Sequence, residues 1–180
     1  MSHDLRMARR TALLLKGVNV GGKNKLPMAE LRAALSGEPG WGEVETYLQS
    51  GNVVAIAPKG DAASALHELI AARFGLDIEV FAWSGKEIAD VVADNPFPGK
   101  AEEPKLLHVA FLQSAPPKDW FATAGLVHDG DEVALGRRHI YLCYRDNSRD
   151  SPLAKVMRNA KISFTARNWT TVVKLAELAS

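Results

Sequence analysis

One cysteine stands in the 180-residue chain, Cys143, inside the run Ile140-Tyr141-Leu142-Cys143-Tyr144. A single thiol forms no internal disulfide, so a reducing cytoplasm is the expected compartment. On a half-buried strand that thiol is expected to pack as a small hydrophobe rather than act as a nucleophile. Long apolar runs are missing as well. No window approaches the roughly 18 apolar residues of a spanning helix, and no membrane partner is expected. Residues 1–10 have the basic character of a signal n-region. The apolar stretch that follows, 12–15, ends at Lys16; it is too short for an h-region and no small-residue cleavage site follows. Net charge is almost absent: 22 Lys+Arg against 21 Asp+Glu give +1. That balance excludes a uniformly basic protein.

Signatures of known chemistry are also lacking. His3, His67, His108, His128 and His139 show no metal-ligand spacing, so no metal site is expected. There is no G-x-S-x-G elbow. The aromatic strand pattern of RNA-binding sheets is not met by Asn52-Val53-Val54-Ala55-Ile56 or by residues 139–144, although Tyr141 and Tyr144 lie in the latter. His128-Asp129-Gly130-Asp131 reads as a turn. The sequence names no catalytic residue, no cofactor and no oligomeric state, and it leaves open whether the protein is an enzyme.

What is present describes a folded chain. With 47% hydrophobic and 24% charged residues it is not disordered by composition. A chain of this length buries roughly 70% of its unfolded surface and needs no staple. Residues 12–16 read as a buried strand. Pro27 suits the start of a helix carrying Leu31, Ala34 and Leu35 and ended by Gly37. The β-rich runs 44–48 and 52–57 are joined by Gln49-Ser50-Gly51 as a hairpin. Asp61 caps a helix with Ala62, Leu66, Leu69, Ile70 and Arg73 on one face, and 78–81 is a strand. Ser84 and Glu87 form a capping box for a helix carrying Ile88, Val91 and Val92. Residues 95–105, with three prolines and Glu102-Glu103, read as a connecting segment.

The second part repeats the order: a strand at 106–112, a short helix at 118–124, and strands at 132–135 and 139–144 around Gly136-Arg137-Arg138. Ser151-Pro152 then opens a helix with Leu153, Val156, Met157 and Ala160 on one face. A strand at 162–165 follows, and Asn168 caps a last helix with Trp169, Val172, Val173 and Ala176. The expected fold is α+β: two successive βαββαβ (ferredoxin-like) halves, each followed by an extra helix, packed as one compact unit. The expected organisation is 1–94, a connection at 95–105, and 106–180. Residues 53–57 are apolar at both parities, so the helix-free sheet face is expected to be covered too.

Three segments have site character. In 17–24, Gly17, Gly21 and Gly22 allow positive φ and close approach of backbone to a ligand. Lys16, Lys23 and Lys25 flank them with no acid nearby in sequence, and backbone N–H groups before a helix favour anions. Gly17-x-x-x-x-Gly22-Lys23 matches most of a P-loop, but Asn24 replaces the Mg²⁺-binding hydroxyl and the helix begins near Pro27, so that reading is rejected. The bland alternative is a tight strand-to-helix connection. The second segment is Thr46-Tyr47-Leu48-Gln49-Ser50-Gly51-Asn52, at its simplest a polar hairpin turn. Split βαββαβ topology puts that turn at the same sheet edge as 17–24, so Asn19, Lys23, Asn24, Gln49, Ser50 and Asn52 are candidates for one ligand site. The third is Arg167-Asn168-Trp169, where a helix cap is the simple reading and an anion site with the loop 145–151 the functional one. Residues 137–174 hold nine Lys and Arg against two Asp, a local excess of seven positive charges.

Residues 12–24, 46–54, 95–97 and 166–172 together resemble the domain-of-unknown-function 1697 family, mostly bacterial single-domain proteins, over about 11–178. The resemblance implies an intracellular, stand-alone α+β protein and no particular activity. It marks Gly17, Asn19, Gly21, Gly22, Lys23, Ser50, Gly51, Asn52, Arg167, Asn168 and Trp169 as matching family motifs. The chain departs at 147–152, where members more often carry a glycine-containing loop followed by a serine and a lysine.

The functional expectation is a small anionic, phosphate-bearing ligand bound at 17–24, with Arg167 and the 145–151 loop as a possible second wall. The alternatives are an enzyme acting on an anionic substrate, with Lys23, Ser50 and Arg167 as its polar groups, and a nucleic-acid binder using 137–174.

Overall fold

Among residues 10–117, 119 and 130–180, which the computed structural model describes, eight strands form two four-stranded antiparallel sheets alongside five helices. The first sheet holds β1 (Arg10–Leu15), β2 (Gly42–Tyr47), β3 (Asn52–Ile56) and β4 (Val80–Ser84) in the order β2-β3-β1-β4. Helix α1 (Met28–Ser36) links β1 to β2, α2 (Ala62–Phe74) links β3 to β4, and α3 (Gly85–Ala93) follows β4. The second sheet holds β5 (Leu107–Leu112), β6 (Glu132–Leu135), β7 (His139–Cys143) and β8 (Phe164–Asn168) in the order β6-β7-β5-β8. Helix α4 (Pro152–Asn159) links β7 to β8, and α5 (Trp169–Leu178) follows β8. Counted within each sheet, both run second, third, first, fourth, the strand order of the split βαββαβ arrangement. Apart from residue 119, the helix expected at 118–124 lies outside the described residues, as do His3 and His128.

The chain divides into two compact units: residues through Asp90 with Lys174–Ser180, and Val91–Val173. The Pro-rich segment 95–105 lies inside the second and contains one 3₁₀ turn, Pro98–Lys100. No helix among the described residues is long and apolar enough to cross a membrane.

Local chemistry explains the elements. Asp61 Oδ1 accepts from Ser64 N at 3.0 Å and starts α2; Gly75, at φ 66°, ends it. In the first unit Leu13, Leu15, Val53 and Ala55 of the sheet pack with Leu31, Leu35, Leu66 and Ile70 of the helices. In the second, Ala110, Leu112, Ile140 and Leu142 pack with Leu153 and Met157 of α4. Each fully buried side chain of this size contributes roughly 1.5–3 kcal/mol. The opposite faces are buried as well: Ala12, Leu14, Val54 and Phe81 in one sheet, Val109, Phe111, Tyr141 and Cys143 in the other. This is the burial at both parities that residues 53–57 foretold. Cys143 is 2% exposed and burial raises its thiol pKa, as suits a packing residue.

Two strands run further than their sequences suggest. β4 continues to Ser84 and β8 to Asn168, and each gives way to a helix with no residue between. The reason is that a helix N-cap has extended backbone angles, so one residue ends the strand and caps the helix. Ser84 N and Oγ donate to Glu87 Oε2 at 2.8 and 2.9 Å, and Asn168 Oδ1 accepts from Thr171 N at 3.0 Å.

Candidate functional site

Past β1 the chain folds into a miniature hairpin. Asn19 N donates to Asn24 O and Lys23 N to Val20 O, both at 3.0 Å. Between them Gly21 and Gly22 have φ of 58° and 74°. A two-residue loop with both central φ positive is a type I′ turn, which glycine accommodates without steric cost. A Cβ added at Gly21 or Gly22 would meet nothing within 4 Å, so backbone angle and not crowding selects glycine there. Asn19 clamps the hairpin base. Its Nδ2 donates to Leu26 O at 2.9 Å and Gln49 O at 2.8 Å, and its Oδ1 accepts from Leu26 N at 2.8 Å. Asn24 Nδ2 donates to Gly17 O at 3.0 Å. Gly21, Gly22, Lys23, Asn24 and Lys25 are all exposed.

The hairpin turn after β2 lies against this loop. A Cβ on Gly51 would sit 2.5 Å from Val18 Cγ2 and 2.7 Å from Leu15 Cβ, and its φ is 88°. Asn52, fully buried, donates through Nδ2 to Tyr47 O at 2.8 Å and Ser50 Oγ at 3.2 Å. The structure therefore brings Asn19 and Gln49 into direct contact, with Ser50 and Asn52 in the adjoining turn. Lys16 departs from expectation. Its Nζ lies 3.4 Å from Glu79 Oε2, so the segment is not free of acids. Antiparallel pairing of Leu15 with Val80 sets Glu79 beside Lys16, a contact between residues far apart in sequence.

In the second unit the register separates residues adjacent in sequence. Val109 pairs with Arg167 and His108 with Asn168, so Arg167 and Asn168 face opposite sides of the sheet. Arg167 is 7% exposed; its Nη1 donates to Thr165 Oγ1 at 2.8 Å and Ala166 O at 2.9 Å. Burial pulls its pKa down to about 10, which leaves it cationic at neutral pH. Trp169 is buried.

Asn168 instead lines an open cleft of about 460 Å³, together with His108, Lys105 and the loop that carries Ser148, Arg149 and Asp150. Asp131, buried at 4% exposure, fixes that loop at both ends: its Oδ1 accepts from Arg145 N at 2.9 Å and its Oδ2 from Leu153 N at 3.4 Å. Asn147 Oδ1 accepts from Arg149 N and Asp150 N, each at 2.9 Å, and shapes the turn. The His108 ring meets Tyr144 edge-on, centroids 5.3 Å apart. Burial lowers its pKa and so favours the neutral ring. Its Nδ1 is buried with no hydrogen-bond partner among the described residues.

Of the segment Arg167-Asn168-Trp169 that the sequence sets at the same sheet edge as the 145–151 loop, Asn168 lines the cleft with that loop and Arg167 faces the other side. The sequence reading passed over His108, Lys105 and Asp131. For His108 a signal existed, a single polar residue in the apolar run Leu106-Leu107-His108-Val109-Ala110. For Asp131 there was none, because its partners lie 14 and 22 residues away.

These sheets and edges define an α+β protein. The chain matches the family model described as Protein of unknown function (DUF1697) over residues 7–141, and it belongs to that family. The motif around Arg167 lies beyond the matched range. A solved structure described as conserved bacterial protein SP0830 from Streptococcus pneumoniae is similar to this chain, with a TM-score of 0.74 and 24% identity. The similarity covers 95% of this chain and 98% of that one, and at this identity it speaks for the fold alone. No match is found among the curated proteins.

Proposed function

We propose that the protein binds a small phosphate-bearing anion where the 17–24 hairpin meets the 48–51 turn. One observation carries the reading. The backbone N–H groups of Gly21 and Gly22 have no acceptor among the described residues, and Lys23 and Lys25 stand exposed beside them. Unspent N–H groups next to ammonium groups attract oxyanions. The Asn19 clamp holds the hairpin in place, so binding orders little chain.

The two alternatives gain less support. For an enzyme, Arg167 spends its guanidinium on its own strand. For a nucleic-acid binder, Arg167 is buried, and Arg145 and Lys174 pair with Asp146 and Glu177. The proposal places the protein in a reducing cytoplasm, on the support of its one buried thiol. It takes the source to be bacterial, as the Streptococcus pneumoniae neighbour is.

A thermal-shift series with phosphate, nucleotides and sugar phosphates tests the binding. The melting temperature rises with an anion in the wild type and the rise is smaller in Lys23→Ala. The reading fails if no anion moves the melting temperature of the wild type.

A further inference from the structure

The cleft of the second unit holds a set of polar groups that the fold does not consume. Asn168 spends its Oδ1 on Thr171 N, and Asn147 spends its own on Arg149 N and Asp150 N. Each amide NH₂ is thereby left as a donor of fixed orientation. The Ser148 hydroxyl, the Lys105 ammonium and the Arg149 guanidinium make no side-chain hydrogen bond or ion pair among the described residues. Two acceptors accompany these five donors: the Asp150 carboxylate and His108 Nε2, since Nδ1 is buried. Asp146 is already engaged by Arg145 at 2.8 Å.

A site whose two cations and three neutral donors outnumber its free acceptors suits a ligand rich in acceptors and negatively charged. Its two acceptors suit ligand hydroxyl groups. The start of α5, immediately after Asn168, adds the positive end of a ten-residue helix. A volume of about 460 Å³ lies within the range of small-ligand sites. The walls are also set before any ligand arrives, since Asp131 holds the loop from both ends.

We propose that this cleft binds a hydroxyl-bearing phosphate ester, with Arg149 and Lys105 on the phosphate, the Asn147 and Asn168 amides and Ser148 as further donors, and Asp150 and His108 accepting from the hydroxyls. The site lies in a different unit from the glycine hairpin and does not depend on it. No covalent step is implied.

Calorimetric titration of the full chain carrying Lys23→Ala keeps the two sites apart, because that substitution acts on the hairpin. Ribose 5-phosphate, inorganic phosphate and ribose are the probes. The expected result is one-site binding of ribose 5-phosphate in the Lys23→Ala chain, weaker binding of phosphate, and none of ribose. Adding Arg149→Ala weakens ribose 5-phosphate binding about tenfold or more, as the loss of a charged hydrogen bond implies. Adding Lys105→Ala, an exposed position that costs no fold, weakens it in the same direction. Absence of binding in the Lys23→Ala chain overturns the inference. So does affinity unchanged in both added variants. If the wild type binds and the Lys23→Ala chain does not, the hairpin reading stands and this one falls.

Discussion

Gly51 is the residue on which the first unit's edge turns. At φ 88° a side chain is strained by about 1–2 kcal/mol, and its Cβ would overlap Val18 and Leu15. Overpacking adds about 1–3 kcal/mol. Gly51→Ala is therefore expected to lower stability by about 2–5 kcal/mol in urea titrations. Gly22→Ala, which has open space, carries the backbone strain alone, about 1–2 kcal/mol. Equal losses at the two positions would contradict the account of how the turn and loop meet. The second residue-scale prediction concerns His139. Burial, its largest cause, lowers the pKa to about 4; Asp94 opposes the shift and Arg138 adds to it. The unfolded imidazole titrates near 6.5, so between pH 6.5 and about 4 the unfolded chain binds more protons. Stability contributed by this group is intact above pH 6.5 and falls as the pH drops through that window. Urea midpoints across pH 4–7 should show the slope, and His139→Gln should flatten it. A slope unchanged in the variant would assign the effect to other groups.

Among the elements, those whose boundaries depend on neighbouring residues were legible from the sequence. The start of α2 at Asp61 and the Ser84–Glu87 box are each decided within four residues. The ends of β4 and β8 were not, because their last residues serve strand and helix at once. The loop 145–151 marks the limit more sharply. Its turn is local and readable in Asn147, but its anchor is Asp131, which looks like an ordinary turn residue. Asp131→Ala leaves the Arg145 and Leu153 N–H groups without their acceptor. An unmet buried donor costs about 1–3 kcal/mol, so a loss of about 2 kcal/mol or more is expected on unfolding in urea. Tryptic cleavage after Arg145 and Arg149 should quicken in the same variant. Unchanged cleavage would mean that the loop is held by something other than Asp131.

Across the whole molecule, the strand order repeats without a repeat of residues. Arg10, Thr11 and Ala12 open the first strand of one sheet where Leu107, His108 and Val109 open that of the other. The hydrophobic pattern was enough to read the α+β class and the eight strands in order, since both follow from periodicity. The candidate site was only half legible. The meeting of Asn19 with Gln49 follows from topology, and the sequence reading anticipated it. The Lys16–Glu79 pair and the His108–Asn168 pairing follow from strand register, which no local signal encodes. Near-zero net charge likewise concealed where charge is available. Arg167 is buried, Lys16 is paired, and Lys23 and Lys25 remain exposed at the hairpin.

The central claim is that the glycine hairpin receives an anion. Amide-resolved NMR titration with ribose 5-phosphate tests it most directly. The account predicts saturable shifts of the Gly21, Gly22 and Lys23 amides, lost in Lys23→Ala. Amides at 21–23 that stay fixed through millimolar ligand would contradict it.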